Sequence, residues 1–285
     1  MPFQNVSTPR IYLNLSEYLA STGVVIDPVF RTLPVIGSEV SAIPDLSDFT
    51  LTDSDGNSIA YIAILGHSAS EITLEGATTI DDIINGTIGS TTSGFSIMGT
   101  DAMPTAIAFD NGNAGSILLG TFYDFPHSPD LSLTLSYDYS GVTHQTTKGG
   151  ASLSNSFYNK PPKWGNLGAW ELGGDPNHAK SGRRIWDLSF SYFSDSSIFP
   201  DNAGLANEDP NSTSLTLLEA NTFQRCIHFL NGGQIPFIFQ PDNTVDGTSP
   251  KPDQLAICKF DMNKFSFQQT LPKLYSVKCR IVESW

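Results

Sequence analysis

One short segment of the sequence contains residue types that could support nucleophilic catalysis. Gly66-His67-Ser68-Ala69-Ser70 follows an apolar run and shares its first glycine and its serine with the GxSxG turn that presents a nucleophile. That turn needs a helix directly after the serine, whereas the next residues, EITLEG, predict a strand, and a serine replaces the final glycine. We therefore interpret the segment as a turn at the end of a strand.

A second segment contains oxygen ligands of the kind that calcium accepts. Asp53, Asp55 and Asn57 surround Gly56, but an EF-hand has its glycine at the sixth position of the loop and a glutamate at the twelfth. Here Gly56 is at the fourth position and Ile64 is at the twelfth. A hairpin turn at Asp55-Gly56 explains the same residues. An incidental cation at an acidic turn is the alternative.

The other titratable residues form no recognisable catalytic or metal-binding pattern. The histidines lack HExxH and HxH spacing, and no glycine-rich phosphate motif is present. Cys226, Cys258 and Cys279 lie in apolar stretches without a CxxC motif, which favours buried, unreactive thiols. The sequence therefore predicts no catalytic residue, no cofactor and no metal ligand.

Aromatic residues surround a long connection, rich in Gly, Pro and Asn, over residues 145–182. The group consists of Phe157, Tyr158, Trp164, Trp170 and Trp186. Exposed aromatic side chains anchor protein partners or stack on sugar rings. We expect Phe157, Tyr158, Trp164 and Trp170 to hold the connection in place or to contact another subunit. Contact with a sugar is the alternative.

Composition and charge restrict the classes of function. Of the 285 residues, 39% are hydrophobic and 11% aromatic, which is enough for a sizeable core. The net charge of −14 opposes binding to nucleic acids, whose phosphates require a basic surface, and to anionic membranes. No apolar run approaches the roughly 18–20 residues of a membrane span, and residues 1–15 contain no secretory signal. We expect no nucleic-acid partner, no membrane insertion and folding in a cytoplasm.

Turn signals every 8–12 residues, without alternating strands and helices, predict an all-β and mainly antiparallel fold. Residues 76–104 resemble a loop with one strand at most. In RRIWDLSFSYFS, period-2 alternation places Trp186, Leu188, Phe190 and Tyr192 on one face. The other predicted strands are AYIAIL, EITLEG, TAIAFD, GSILLGTFYDF, LSLTLSYDYS, QIPFIFQ, QLAICKF, KFSFQQ and LYSVKCRIV.

Changes in composition divide the chain into four segments. Residues 1–44 predict an N-terminal arm with a short helix over 14–22, and residues 45–150 predict a β-sandwich. Residues 151–182 form a strap rich in Gly and Pro. Residues 183–285 predict a second β domain with a helix over 214–230, where apolar residues recur every three or four positions.

Several of these strings resemble tail proteins of tailed bacteriophages. AYIAILGHSAS with EITLEG, the later ILLGTFYDFP and the polar TKGG segment are similar to the discoidin or galactose-binding-like sandwich of phage virion proteins. RRIWDLSFSYF, a helix ending in NGG, PFIFQPD and LYSVKCRIVES are similar to minor tail proteins of the distal-tail and baseplate-ring type. The resemblance covers roughly residues 45–150 and 183–285.

The resemblance implies a galactose-binding-like β-sandwich and a second antiparallel β domain with one packed helix. It also implies a structural component of the tail tip or baseplate, and not an enzyme. Such a protein is a ring homo-oligomer that joins the tail tube to the hub or to receptor-binding fibres. It folds in the host bacterial cytoplasm and ends in the virion tail. The alternatives are a carbohydrate-binding module that adsorbs to a host glycan and a tail-associated glycan hydrolase.

Overall fold

Antiparallel β-strands make up most of the described chain, as the sequence pattern predicts. The computed structural model describes residues 6–27, 30, 39–40, 43, 60–65, 67, 69, 71–77, 79–84, 95–100, 102–110, 116–131, 134–138, 142–156, 183–200, 221–243 and 255–284. Every strand pairing within these ranges is antiparallel. The described helices are few and short, so the all-β class is confirmed.

The elements are numbered in chain order. The strands are β1 (Arg10–Asn14), β2 (Glu39–Val40), β3 (Ala60–Leu65), β4 (Ile72–Glu75), β5 (Thr79–Ile84), β6 (Phe95–Thr100), β7 (Ala106–Phe109), β8 (Ser116–Asp124), β9 (Thr134–Asp138), β10 (Val142–Thr146), β11 (Ser152–Ser156), β12 (Arg183–Ser194), β13 (Phe237–Gln240), β14 (Ala256–Phe260), β15 (Phe267–Leu271) and β16 (Leu274–Glu283). The helices are α1 (Leu15–Ser21), α2 (Asp195–Ile198) and α3 (Phe223–Phe229), followed by a 3-10 turn at Asn231–Gly233. Within the described ranges, no helix has the length and apolar character needed to cross a membrane.

Two loop predictions are corrected. Residues 76–104 contain two strands, β5 and β6, where the sequence predicted one at most. The predicted strap of residues 151–182 begins with strand β11. In both places, Ser, Thr, Gly and Asp give the strands the composition of a loop, and neighbouring strands supply the pairing that local propensity does not predict. The rest of the strap, residues 157–182, lies outside the described ranges.

A single sheet connects distant parts of the sequence. Its eleven strands follow the order β5-β6-β3-β8-β1-β13-β14-β16-β12-β9, with β15 paired alongside β16. Two smaller sheets have the orders β2-β7-β4 and β10-β11. The large sheet includes strands from the predicted segments 1–44, 45–150 and 183–285. The predicted boundaries therefore do not coincide with breaks in its hydrogen bonding.

Strand β1 lies in the middle of the large sheet and pairs on both sides. Its residue Tyr12 is the register partner of Phe122 in β8 and of Ile238 in β13. Backbone hydrogen bonds continue this pairing, from Phe125 N to Pro9 O at 3.0 Å and from Asn243 N to Thr8 O at 2.9 Å. The prediction of an N-terminal arm is therefore wrong for Arg10–Asn14.

Both faces of the central strands are buried, which explains their continuous apolar runs. One face packs against the three-stranded sheet and against α3. The side chains of this main core include Ile11, Leu13, Ile62, Ile64, Ile72, Ile107, Phe109, Leu119, Trp186, Phe223, Cys226, Phe229 and Phe239. The opposite face carries a smaller apolar cluster: Tyr12, Tyr61, Ala63, Leu65, Ile97, Leu118, Ile238, Leu255 and Ile257.

Capping residues determine where the helices begin. The predicted helix over 14–22 is confirmed as α1. Asn14 caps its start, since the Asn14 side chain accepts a hydrogen bond from Glu17 N at 3.1 Å. The helix predicted over 214–230 begins only at Phe223. Thr222 is extended, with φ −117° and ψ 158°, and its hydroxyl accepts a hydrogen bond from Arg225 N. Asn221 and Thr222 are thus outside the helix, and residues 214–220 are not in the described ranges.

A close approach of strands at Gly120 allows a hydrogen bond to cross β8. Gly120 pairs with Asn14 on one side and with Tyr61 on the other. The Tyr61 hydroxyl donates to Leu13 O, in the next strand but one, at 3.1 Å. A Cβ atom at position 120 would overlap the Leu13 carbonyl oxygen. Glycine at this position therefore allows β1 to lie against β8.

We expect Gly120→Ala to lower the free energy of unfolding by about 2–3 kcal/mol, because the added methyl group must separate β1 from β8. Gly149→Ala is the matched control, since a Cβ there meets only the Thr147 hydroxyl, at 3.9 Å. The control should change stability by less than about 0.5 kcal/mol. Urea unfolding of both variants measures the difference, and equal stabilities would contradict the proposed role of Gly120.

Candidate assembly surface

Strands β10 and β11 form a hairpin that is separate from the two larger sheets. Five register pairs connect the strands, from Val142 with Ser156 to Thr146 with Ser152. In the turn, Gly150 has a φ of 83°, a value that favours glycine. The turn is closed by Thr147 N, which donates to Ala151 O at 2.8 Å, and by Ala151 N, which donates to the Thr147 hydroxyl at 3.0 Å.

None of the described hairpin residues belongs to the buried core. Every side chain from Thr143 to Ser154 is exposed, including 58% of Leu153. His144 Nδ1 and the Ser154 hydroxyl are 2.8 Å apart and connect the strands on one face. An isolated two-stranded hairpin is marginally stable in water. The hairpin therefore has edges and an apolar side chain that a partner could cover.

The two ends of the large sheet differ in how well they are protected against further pairing. Strand β5, at one end, has two register shifts. Bulges of this kind discourage the addition of another strand. Strand β9, at the other end, forms five consecutive pairs with β12 and has no register shift. Among the described residues β9 pairs on one side only, and next to it Leu131 is fully exposed.

A β-bulge in β12 turns an aromatic side chain towards solvent. The register shifts between Phe190 and Phe193, so Phe193 is buried while 66% of Tyr192 is exposed. The prediction that Tyr192 shares the face of Trp186, Leu188 and Phe190 is therefore wrong, because a bulge changes the face of the residues after it.

Asp130 fixes this part of β12. Its backbone N–H donates to Ser189 O at 2.7 Å, and its carboxylate accepts hydrogen bonds from Ser189 and Ser191 at 3.0 and 2.7 Å. The segment before β9 is thereby held against β12. Leu131, Tyr137 and Tyr192 are exposed apolar side chains along this end of the sheet.

Of the aromatic residues expected around the long connection, Trp186 alone lies in the described ranges. Phe157, Tyr158, Trp164 and Trp170 lie outside the described residues. Trp186, expected near them, is a core residue that is 1% exposed. It packs edge-on against Phe239, with ring centroids 5.2 Å apart, and the guanidinium of Arg184 lies 5.2 Å from its ring. Trp186 is therefore not available to a sugar.

The segment at His67 is a buried strand end. His67 is 1% exposed, and its Nε2 lies 3.0 Å from the Ser96 hydroxyl. Burial lowers the pKa of His67 to about 4, and a hydrogen bond with the Ala69 backbone partly offsets that effect. Strand β4 follows, where a nucleophile elbow would need a helix. The prediction of a strand-end turn fits this geometry; the calcium-like residues Asp53, Asp55 and Asn57 lie outside the described ranges.

The three cysteines are free and buried, as predicted. Burial raises the pKa of the Cys279 thiol to about 12, and it raises the pKa of Cys226 and Cys258 in the same direction. Thiols in this state are poor nucleophiles and poor metal ligands. No group of three potential metal ligands occurs in the described part of the chain.

Comparisons with known proteins give no relative on which to base a function. No family model matches the chain, no curated protein matches it, and no solved structure matches it. A function for this chain is therefore inferred from the geometry described above and from the resemblance of its sequence segments to phage tail proteins.

The His67 environment predicts a dependence of stability on pH. The folded-state pKa of about 4 lies below the ordinary value of 6.5, so the unfolded chain binds more protons between these values. Protonation of His67 should therefore lower the free energy of unfolding by about 2.5 kcal/mol as the pH falls from 7.5 to 4.5. We expect the loss over this range to be smaller by about that amount in the His67→Gln variant than in the parent. Urea unfolding at both pH values tests this; equal losses in the two proteins would contradict it.

Proposed function

We propose that this chain is a structural component of a bacteriophage tail tip or baseplate. It assembles with copies of itself into a ring that joins the tail tube to hub or receptor-binding proteins. In this proposal the protein works by assembly, without catalysis or a cofactor, and belongs to the virion tail. The resemblance of residues 45–150 and 183–285 to phage tail proteins supports the class of protein.

The observation that carries the proposal is the exposed β10–β11 hairpin. Its side chains are exposed from Thr143 to Ser154, and among the described residues it pairs with neither larger sheet. Unpaired strand edges bind a partner through backbone hydrogen bonds, while an exposed apolar side chain such as Leu153 adds buried area. The neighbouring strand β9 ends the large sheet without a protective bulge. Two adjacent segments of the chain therefore have the properties of contact surfaces.

Low charge density also favours assembly. Only 15% of the residues are charged, compared with about 25% in an average soluble domain. Surfaces rich in Ser, Thr and Asn can be buried between subunits without removing many ions from water, which is costly. A sugar-binding role has no geometric support among the described residues, because Trp164 and Trp170 lie outside them and Trp186 is buried.

We expect loss of the hairpin to weaken assembly but not folding. Val142 and Ser156 are register partners, so an Asn-Gly turn can replace residues 143–155 and connect them directly. The shortened protein should keep the thermal midpoint of the parent within about 3 °C, because the hairpin adds no described core residue. Its self-association should weaken at least about tenfold, since it loses a contact surface.

Analytical ultracentrifugation and negative-stain imaging of the shortened protein and of its parent measure this effect. His144→Ser is the matched control, because it removes the side-chain contact with Ser154 and keeps the hairpin backbone; it should assemble like the parent. Assembly of the shortened protein at parental strength would contradict the role of the hairpin. A parent protein that stays monomeric at all concentrations, or that cleaves host glycans, would contradict the proposed function itself.

A further inference from the structure

Charge is distributed very unevenly along the chain. Residues 1–147 carry the entire net charge of −14, while residues 148–285 contain thirteen acidic and thirteen basic residues. Between residues 32 and 147 there are fourteen Asp and Glu and not one Lys or Arg. The carboxylates of residues 32–147 therefore have no Lys or Arg close to them in the sequence.

The fold places most strands of the acidic part on one side of β1; the exception in the large sheet is β9, which carries Asp138 and lies beyond β12 on the other side. Strands β2 to β8, from the acidic part of the sequence, lie on one side of β1 or in the small sheet packed beside them. Strands β12, β14 and β16 lie on the other side of β1. Strands β3 and β16 are five positions apart in the sheet, which is about 24 Å along it at the usual strand spacing.

The clearest acidic surface is the outer strand of the three-stranded sheet. We call Glu71, Glu75 and Asp110 the acidic edge; all three are exposed. Glu71 and Asp110 are adjacent, since Glu71 N donates to an Asp110 carboxylate oxygen at 3.0 Å and Asp110 N donates to Glu71 O at 3.2 Å. Glu75 is at the other end of β4. Neither Glu71 nor Glu75 has an ion-pair partner among the described residues.

The clearest basic surface is on β14 and β16. We call Lys259, Lys278 and Arg280 the basic face. Lys259 pairs with Val282, and positions 278, 280 and 282 of β16 point to the same side, so the three basic residues share one face. Arg280 has carboxylate neighbours, Asp187 at 3.9 Å and Asp261 at 3.4 Å. In the described part of the chain, Lys259 and Lys278 have none within ion-pair distance.

We propose that copies of this chain associate head to tail, with the acidic edge of one copy against the basic face of the next. This inference rests on the proposed assembly function and specifies its contact surfaces. Like charges on one surface repel each other, and a neighbouring copy of opposite charge reduces that repulsion. Complementary charges also select the orientation in which two copies meet. Repeating one heterologous contact produces a closed ring when the rotation between copies closes on itself.

Reversal of charge on each surface, alone and combined, tests the proposed contact. Glu75→Lys and Lys278→Glu should each weaken self-association about tenfold, and the protein with both changes should recover to within about threefold of the parent. Lys273→Glu is the matched control: it changes the net charge as much as Lys278→Glu but lies in the exposed turn between β15 and β16, outside both charged surfaces and outside the hairpin, and it should associate like the parent. The parent should also associate about tenfold more weakly in 500 mM than in 50 mM NaCl.

Sedimentation velocity over a range of concentrations gives these association constants, and circular dichroism checks that each variant folds. No recovery in the double variant, no effect of salt, an equal loss in Lys273→Glu, or a dimer that does not grow further would each overturn the head-to-tail contact. If the parent still self-associates in any of these cases, the head-to-tail contact is wrong but the proposed assembly function stands. A parent that stays monomeric in both salt concentrations would overturn the assembly function as well.

Discussion

The pairing of β1 on both sides is the interaction on which the rest of the structure depends. A five-residue strand near the start of the chain lies between β8, from the first half, and β13, from the second. Arg10 makes two hydrogen bonds to Asp124, at 2.6 and 2.9 Å, and Tyr12 donates to Gln240 at 2.6 Å. Without β1, the two blocks of strands would each have an unpaired edge in the middle of the molecule.

This arrangement explains how the core and the contact surfaces are divided. The central strands are buried on both faces, so they supply stability and no binding surface. The outer elements are exposed: the β10–β11 hairpin, the β9 end, the β4 edge and the polar face of β14 and β16. A chain with a buried interior and unlike charges on separate surfaces is suited to repeated contacts between copies. The proposed function follows from this division and requires no catalytic residue.

The sequence predicts the fold class and most strands, but it does not predict how the strands are ordered. Period-2 alternation identifies β12 up to Phe190, yet the bulge that exposes Tyr192 depends on pairing with β16 and has no local signal. The segment RIYLN was predicted to be part of an arm, because the strands that pair with it are distant in the sequence. The polar β10–β11 hairpin has one local signal, the glycine pair 149–150 in its turn, whereas its Ser, Thr and Asn residues resemble a loop. The cysteines were predictable because each lies in an apolar strand or helix. The proposed contact between the acidic edge and the basic face depends on topology, and therefore no sequence motif shows it.

Native-state hydrogen exchange tests the central position of β1 most directly. Peptides covering β1, β8 and β13 can be followed by mass spectrometry at increasing urea concentrations below the unfolding transition. The account predicts that the three strands exchange with the same opening free energy, equal to that of global unfolding, because none can open without breaking the sheet. Faster exchange of β1 alone, or separate opening of β8 and β13, would show that the two blocks of strands are independent and would contradict the account.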